Sequence, residues 1–66
     1  SSDLIETALL RHNTGPGITA ASVARIARVP VETVAKRVYD LREFYDIYTN
    51  YRKVGGKRTA FYRLAQ

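Results

Sequence analysis

Residues 28–43, RVPVETVAKRVYDLRE, decide the fold of this 66-residue chain. Pro30 disfavours helix at the residue before it and suits the first position of a new helix, where its missing N–H leaves no bond unmade. Val34, Val38 and Leu41 then recur at i, i+4 and i+7. The stretch therefore predicts an amphipathic helix with one buried face, whose opposite face is polar and mostly cationic.

Two shorter helices are predicted upstream of this one. The first runs from Ser2 to about His12. Asp3 and Glu6, at its start, have the spacing of a capping box, and a Gly- and Pro-rich segment ends it. The second runs from Ala20 to about Ala27, after Thr19, whose hydroxyl can accept a backbone N–H one turn on. Both helices carry apolar stripes that need a common core.

After Asp46 the hydrophobic period changes from 3.6 to 2. Residues 47–51 are mainly β-branched and aromatic, Gly55-Gly56 is a tight-turn pair, and residues 58–65 alternate again. The sequence thus predicts an α+β fold in one domain, residues 1–66, with three helices backed by a C-terminal two-stranded antiparallel hairpin. The expected core consists of Leu4, Leu9, Val23, Ile26, Val34, Val38, Leu41, Ile47 and Leu64.

The composition narrows the class of protein. The chain has no cysteine and is 45% hydrophobic, so packing without disulfides must hold the fold, and its apolar runs are too short for a membrane span or a signal peptide. We therefore expect a cytoplasmic protein. His12 is the only histidine. It has no second histidine or cysteine with which to form a metal site, and the sequence offers no catalytic nucleophile with a histidine as its general base. We expect no enzymatic activity, metal or cofactor.

Charge is distributed unevenly along the chain. The formal net charge is +5, yet residues 1–24 hold one basic and two acidic side chains, whereas residues 25–66 hold ten basic and four acidic ones. A one-sided cationic excess favours a polyanionic partner, because each neutralised phosphate releases condensed counterions. The pattern indicates a nucleic-acid partner in preference to a basic surface without one.

Two helices joined by a short turn, the second with a cationic outer face, meet the physical needs of a helix-turn-helix. The chain resembles the winged helix-turn-helix superfamily of bacterial and phage regulators over nearly its whole length. The stretch 36–40, Lys-Arg-Val-Tyr-Asp, also resembles the Arg-Arg-x-Tyr-Asp recognition helix of eukaryotic cell-cycle winged-helix factors. The residues that carry the superfamily resemblance are Ile18-Thr19, Ser22-Val23-Ala24, the run from Val29 to Val34, Val38, Leu41, Ile47 and Tyr62-Arg63-Leu64.

The resemblance implies that a recognition helix, about residues 30–43, enters the major groove. Arg37 is then expected to donate two hydrogen bonds to a guanine and Lys36 to contact phosphate. Glu32 either accepts from cytosine or is simply favoured by the helix dipole, and Tyr39 either packs or bonds a phosphate. The implied helix contacts are Val31, Glu32, Thr33, Lys36, Arg37 and Tyr39.

The hairpin, about residues 47–65, corresponds to the wing of the superfamily. Its tip and the C-terminal end of the second helix supply the cations expected on the DNA backbone: Arg25, Arg28, Arg52, Lys53, Lys57 and Arg58. The family often places a small residue between recognition helix and wing, whereas Tyr45-Asp46 occupy that corner here and predict a different wing angle. Most of the five tyrosines are expected to be structural.

These features together predict sequence-specific double-stranded DNA binding, as a nucleoid-associated regulator of transcription, replication or recombination. A homodimer or a larger parent protein is the expected context, and a start at Ser-Ser without Met is typical of an excised domain. Two alternatives remain open. One is a protein-protein interaction module, because Glu32, Asp40 and Glu43 interrupt the cationic face. The other is RNA or single-stranded nucleic-acid binding through the tyrosine-rich hairpin.

Overall fold

Three helices and three antiparallel strands follow one another along residues 3–65, the part of the chain that the computed structural model describes. The predicted α+β class and the three helices are confirmed. The predicted two-stranded hairpin is wrong in its strand count, because a third strand joins it. The elements are α1 (Leu4–Arg11), β1 (Ile18–Thr19), α2 (Ala20–Ala27), α3 (Val31–Leu41), β2 (Ile47–Val54) and β3 (Lys57–Leu64).

Helix α1 begins at a side-chain cap. The Asp3 carboxylate accepts the backbone N–H groups of Ile5 at 3.0 Å and Glu6 at 3.2 Å, so two donors that the first turn leaves free are satisfied. The expected capping box is only half formed, because the Glu6 carboxylate accepts a hydrogen bond from Tyr45 instead. Ser2, where the helix was predicted to start, lies outside the described residues.

The segment from α2 to α3 consists of two helices joined by a short turn, close to the predicted bounds. Thr19 caps α2 by accepting the N–H of Ser22 at 3.1 Å, which confirms both the cap and the bounds of this helix. Arg28 then turns the chain in a left-handed conformation, with φ 59° and ψ 48°. Pro30 is the N-cap of α3, with φ −62° and ψ 151°, so the helix begins at Val31, one residue later than predicted.

The sheet has the strand order β1-β3-β2. Strands β2 and β3 pair in one unbroken register from Ile47 opposite Leu64 to Val54 opposite Lys57. Gly55 and Gly56, with φ 58° and 79°, close the hairpin as a turn in which both central residues need a positive φ. Strand β1 pairs with the other edge of β3, which makes β3 the central strand.

The loop before β1 explains how so short a strand is held. Asn13 accepts the N–H of Leu64 at 2.7 Å and donates to the Leu64 carbonyl at 2.9 Å, so its amide acts as a strand partner at the end of β3. Gly17 approaches β3 so closely that a Cβ atom there would lie 2.0 Å from the carbonyl oxygen of Tyr62. Only glycine permits this approach, and it leaves Ile18 opposite Tyr62.

The core lies between the three helices and one face of the sheet. Seven of the nine predicted core residues are buried, but Leu4 and Ile26 are 55% and 48% exposed, and their predicted burial is wrong. Each belongs to a helix with more apolar residues than its packed stripe accommodates, and each falls on the edge of that stripe. The buried residues are Ile5, Ala8, Leu9, Ile18, Val23, Ala24, Ala27, Val34, Val38, Leu41, Ile47 and Leu64.

Candidate nucleic-acid interface

The outward face of α3 is open along its whole length. Val34, Val38 and Leu41 turn inward and are at most 2% exposed, which leaves the opposite side to solvent. Tyr39 is 77% exposed, so the alternative in which it packs is excluded. Of the predicted helix contacts, the structure leaves five exposed on this helix: Val31, Glu32, Thr33, Lys36 and Tyr39.

Arg37 lies apart from the other predicted contacts. It stands on the flank of α3 that meets α1, its guanidinium pairs with the Asp3 carboxylate, and a second carboxylate, that of Asp40, lies 4.0 Å away. Its side chain is 37% exposed. The predicted guanine contact stays a prediction, and it requires Arg37 to exchange Asp3 for a base.

The environment of Asp3 holds this pair in its charged form. Burial by itself would raise the pKa of the carboxyl, but the hydrogen bond from the Glu6 N–H, the hydrogen bond and positive charge of Arg37, and the hydrogen bond from the Ile5 N–H outweigh it. The pKa of Asp3 therefore lies below its ordinary value. One carboxylate thus both caps α1 and binds α3.

A second contact fixes the corner between α3 and β2. Tyr45 packs against the core, and its hydroxyl donates to the Glu6 carboxylate on α1. That hydrogen bond, burial and the negative charge of Glu6 all raise the pKa of the Tyr45 phenol. Arg42 braces the same corner by donating to the Ile47 carbonyl at 2.8 Å. The direction in which the hairpin leaves the helices is therefore set by side chains of α1 and of the connection between α3 and β2.

The outer half of the hairpin, residues 51–58, is exposed at every position. The pairing of β2 with β3 divides its four cations between the two faces of the sheet, because residues directly opposite each other share a face. Lys53 and Arg58 are paired on the face toward the helices, whereas Arg52 and Lys57 project from the other. The sequence places four cations at one hairpin tip, and the structure places two of them on each face of the sheet.

One hairpin cation is held by an aromatic ring. The Arg58 guanidinium carbon lies 4.0 Å from the centre of the Tyr51 ring, on the helix-facing side of the hairpin. A cation over an exposed ring gains about 0.5–1 kcal/mol, which restricts the arginine without neutralising it. Tyr39, Tyr48 and Tyr51 are all more than half exposed, so the expectation that most tyrosines are structural holds only for Tyr45 and Tyr62.

Arg25 lies in the last turn of α2 and Arg28 begins the turn that leads to α3. Both are exposed, and Arg25 donates to the Ser22 hydroxyl at 3.3 Å. Arg28 is the one non-glycine among the described residues with a positive φ. A left-handed conformation costs a residue with a Cβ about 1 kcal/mol. The chain therefore carries a charged side chain at a position where glycine would be less strained.

Most cations in the molecule have no carboxylate partner. Within residues 3–65, the ion pairs closer than 4.0 Å all involve Arg37, so the other ten Lys and Arg side chains lie farther than that from any Asp or Glu. Strands β1, β2 and β3 contain no acidic residue, while β2 and β3 contain five basic ones. The positive charge is thus left available to an external anion.

Sequence reasoning missed three features of this surface. Arg63, on the outer side of β3, was not among the predicted contacts, although the alternation of that strand was recognised. Ala35 was not either, yet it helps to line an open groove of about 350 Å³ beside Tyr39. The pairing of Arg37 with Asp3 joins residues 34 positions apart, and no local pattern signals it.

Within the described part of the chain, no group of three or more metal-ligating side chains is present, and none of the helices is long and apolar enough to cross a membrane. No protein-family model, no curated protein and no solved structure matches the chain. The function must therefore be argued from the geometry and charge of the molecule itself.

Proposed function

We propose that this chain is a winged helix-turn-helix domain that binds double-stranded DNA sequence-specifically and regulates transcription, replication or recombination. The observation that carries the proposal is the set of ten cations that have no carboxylate partner within residues 3–65, on a domain whose α3 presents an uncovered polar face. Unpaired cations beside a free helix suit a phosphate backbone whose grooves admit a helix.

In this proposal α3 enters the major groove. Thr33 and Lys36 project from its open side, and the first turn, at Val31, points the positive end of the helix dipole toward phosphate. Lys36 contacts the backbone and Thr33 reaches base edges. Arg37 adds a guanine contact only after it leaves Asp3, so base discrimination competes with an intramolecular ion pair.

The cations around α3 supply affinity. Arg25 and Arg28 precede the helix, Lys53 and Arg58 lie on the helix-facing side of the hairpin, and in the proposal both groups contact phosphates beside α3. Contacts of this kind fix the protein's orientation on the duplex without reading sequence. Because Glu32 and Asp40 lie on the exposed face of α3, these flanking cations contribute most of the attraction.

The rival proposal is docking to another protein through α3. Its supporting observation is the open groove lined by Ala35, Lys36, Tyr39 and Asp40, next to the 45% exposed Val31. Apolar surface at these positions suits a partner helix, but it also suits thymine methyl groups. The same surface therefore serves both proposals, and binding to duplex DNA decides between them.

The test is fluorescence anisotropy with a random-sequence duplex over a series of salt concentrations. The logarithm of the binding constant should fall linearly with the logarithm of salt concentration, and Lys36→Ala should reduce the slope by about one. Arg11→Ala is the matched control. It removes the same charge from the last turn of α1, at the opposite end of that helix from Asp3, which is the contact with α3. It should leave the slope nearly unchanged.

NMR titration with the same duplex locates the surface. Amide shifts should concentrate in α3, the preceding turn and the hairpin tip. The proposal fails if no duplex binds at low salt, or if Arg11→Ala and Lys36→Ala weaken binding equally. In the first case, amide shifts on α3 in the presence of a protein partner would support the docking alternative.

A further inference from the structure

The face of the sheet turned away from the helices carries aromatic and cationic side chains that the proposed duplex contact does not use. We call it the outer sheet face and define it by Tyr48, Arg52, Lys57, Phe61 and Arg63. The register places all five on one side, opposite the buried Ile47 and Leu64. We propose that the outer sheet face is a second nucleic-acid site that binds single-stranded DNA.

The aromatic pair is arranged for base stacking. Tyr48 is 58% exposed and Phe61 is half-buried, and they lie on neighbouring strands at diagonal positions of the register. Diagonal neighbours stand roughly 7–8 Å apart, close enough for consecutive bases of an extended strand to rest on the two rings. Bases in a duplex are stacked on each other and cannot use such rings, so the pair selects a single strand.

Charge complementarity points to the same ligand. Arg63 lies directly opposite Tyr48, Arg52 lies diagonally from Phe61, and Lys57 lies farther out at the hairpin tip, while the strands themselves contain no carboxylate. Asp46, which precedes β2, is the acidic residue that borders the face. Aromatic rings among unpaired cations suit a nucleic acid, because its bases can stack on the rings while its phosphates neutralise the cations. A neutral or cationic partner would instead bury the three cationic side chains without a counter-charge.

Apart from the Tyr48 hydroxyl, the neutral polar side chains of this face are engaged within the chain. Asn50 donates to the Pro16 carbonyl at 3.1 Å, Thr59 donates to the Lys57 carbonyl at 3.3 Å, and Thr19 is occupied in capping α2. The face thus offers stacking and charge but few free groups to recognise a base edge or a ribose 2′-hydroxyl. These engagements favour sequence-independent binding and DNA over RNA.

The test uses labelled oligo(dT) in anisotropy measurements on the whole chain. Tyr48→Thr, which keeps strand propensity, and Phe61→Leu, which keeps an apolar side chain, should each weaken oligo(dT) binding about five-fold to a hundred-fold, the range for one lost stacking contact. Tyr39→Ala removes an exposed aromatic from α3 and should leave oligo(dT) binding unchanged. Thermal unfolding followed by circular dichroism shows that each variant folds.

The duplex distinguishes this inference from the proposed function. Oligo(dT) should still bind when the chain is saturated with unlabelled duplex, since the two ligands occupy opposite sides. Binding of oligo(dT) without duplex binding would overturn the proposed function and support the outer sheet face. Displacement by duplex, loss with Tyr39→Ala, or folded Tyr48→Thr and Phe61→Leu variants of unchanged affinity would overturn the second site. Oligo(rU) bound as tightly as oligo(dT) would overturn the choice of DNA.

Discussion

The helical body and the outer half of the hairpin are built on opposite principles. All twelve buried residues lie in the helices, in β1 or at the base of the hairpin, and none lies between positions 48 and 63. The body is cross-linked by Asp3 with Arg37 and by Glu6 with Tyr45, so two of its carboxylates are engaged within the chain. Residues 51–58 have no acidic group and no core.

The contrast separates stability from binding. Changes in the body should alter the free energy of unfolding through packing and hydrogen bonds, whereas changes in residues 51–58 should alter ligand affinity with little effect on folding. A domain of 66 residues has little stability to spare. Placing binding groups on the outer half of the hairpin, which contributes nothing to the core, lets charge accumulate there without breaking the fold.

The largest expected effect is that of Gly17→Ala. The new Cβ would lie 2.0 Å from the Tyr62 carbonyl oxygen, at a backbone φ of +107°, so β1 and β3 must separate. We expect the free energy of unfolding to fall by about 3–5 kcal/mol, measured by urea denaturation.

Gly15→Ala is the matched control for this change. Gly15 also has a positive φ, +54°, but a Cβ atom at this position would meet no other atom within 4 Å. The substitution should cost only about 1 kcal/mol. Equal losses for the two alanine variants would contradict the close approach of the loop to β3, and with it the reason that β1 joins the sheet.

The next effect concerns the Asp3 contact that joins α1 to α3. Asp3→Ala removes the N-cap and the ion pair and should cost about 1–2 kcal/mol, whereas Asp3→Asn keeps a good cap and should cost less than about 1 kcal/mol. Asp3→Asn also frees Arg37, so it should strengthen duplex binding. Glu6→Gln changes charge equally on the same helix without touching Arg37; if it strengthens binding as much, release of Arg37 is not the cause.

The same pair predicts the response of stability to acid. Since the pKa of Asp3 is lower in the folded state than in the unfolded state, its contribution is complete above the unfolded pKa and is lost as the pH falls through the folded pKa. The parent chain should therefore lose more stability than Asp3→Asn between about pH 5 and pH 2. Parallel curves of unfolding free energy against pH would show that the carboxylate is not stabilised by Arg37 and the α1 amides.

The elements that sequence predicted well are those set by local chemistry. Thr19 before an alanine-rich stretch set the start of α2, and Gly55-Gly56 set the hairpin turn, because a cap or a positive φ is required there by neighbouring residues alone. The candidate α3 was likewise predicted within one or two residues at each end, since Pro30 and three spaced apolar residues define it.

What the sequence could not predict depends on distant partners. Ile18 and Thr19 form a strand only because Gly17 lets them reach β3, more than 40 residues away. Arg37 was predicted to face the groove because Asp3 cannot be recognised as its partner from spacing. The division of the hairpin cations between two faces depends on the register of β2 with β3. The presence of basic residues near two glycines does not define that register.

A smaller effect is expected where body and binding surface meet, at Arg28. Arg28→Gly relieves the left-handed conformation and should raise the free energy of unfolding by about 1 kcal/mol, while the lost cation should weaken duplex binding and lower its salt slope by about one. Arg28→Lys keeps both the strain and the charge, so its stability and salt slope should match the parent chain. A glycine variant that gains stability with full duplex affinity would remove Arg28 from the proposed interface.

The smallest effect on stability, and the sharpest on binding, is expected from two adjacent hairpin residues. Arg52 and Lys53 are both exposed and project from opposite faces, so alanine at either should change the free energy of unfolding by less than about 0.5 kcal/mol. Lys53→Ala should weaken duplex binding and spare oligo(dT), and Arg52→Ala should do the reverse. If both variants weaken both ligands alike, the hairpin tip acts as one diffuse cationic surface, and its two faces do not separate two nucleic-acid sites.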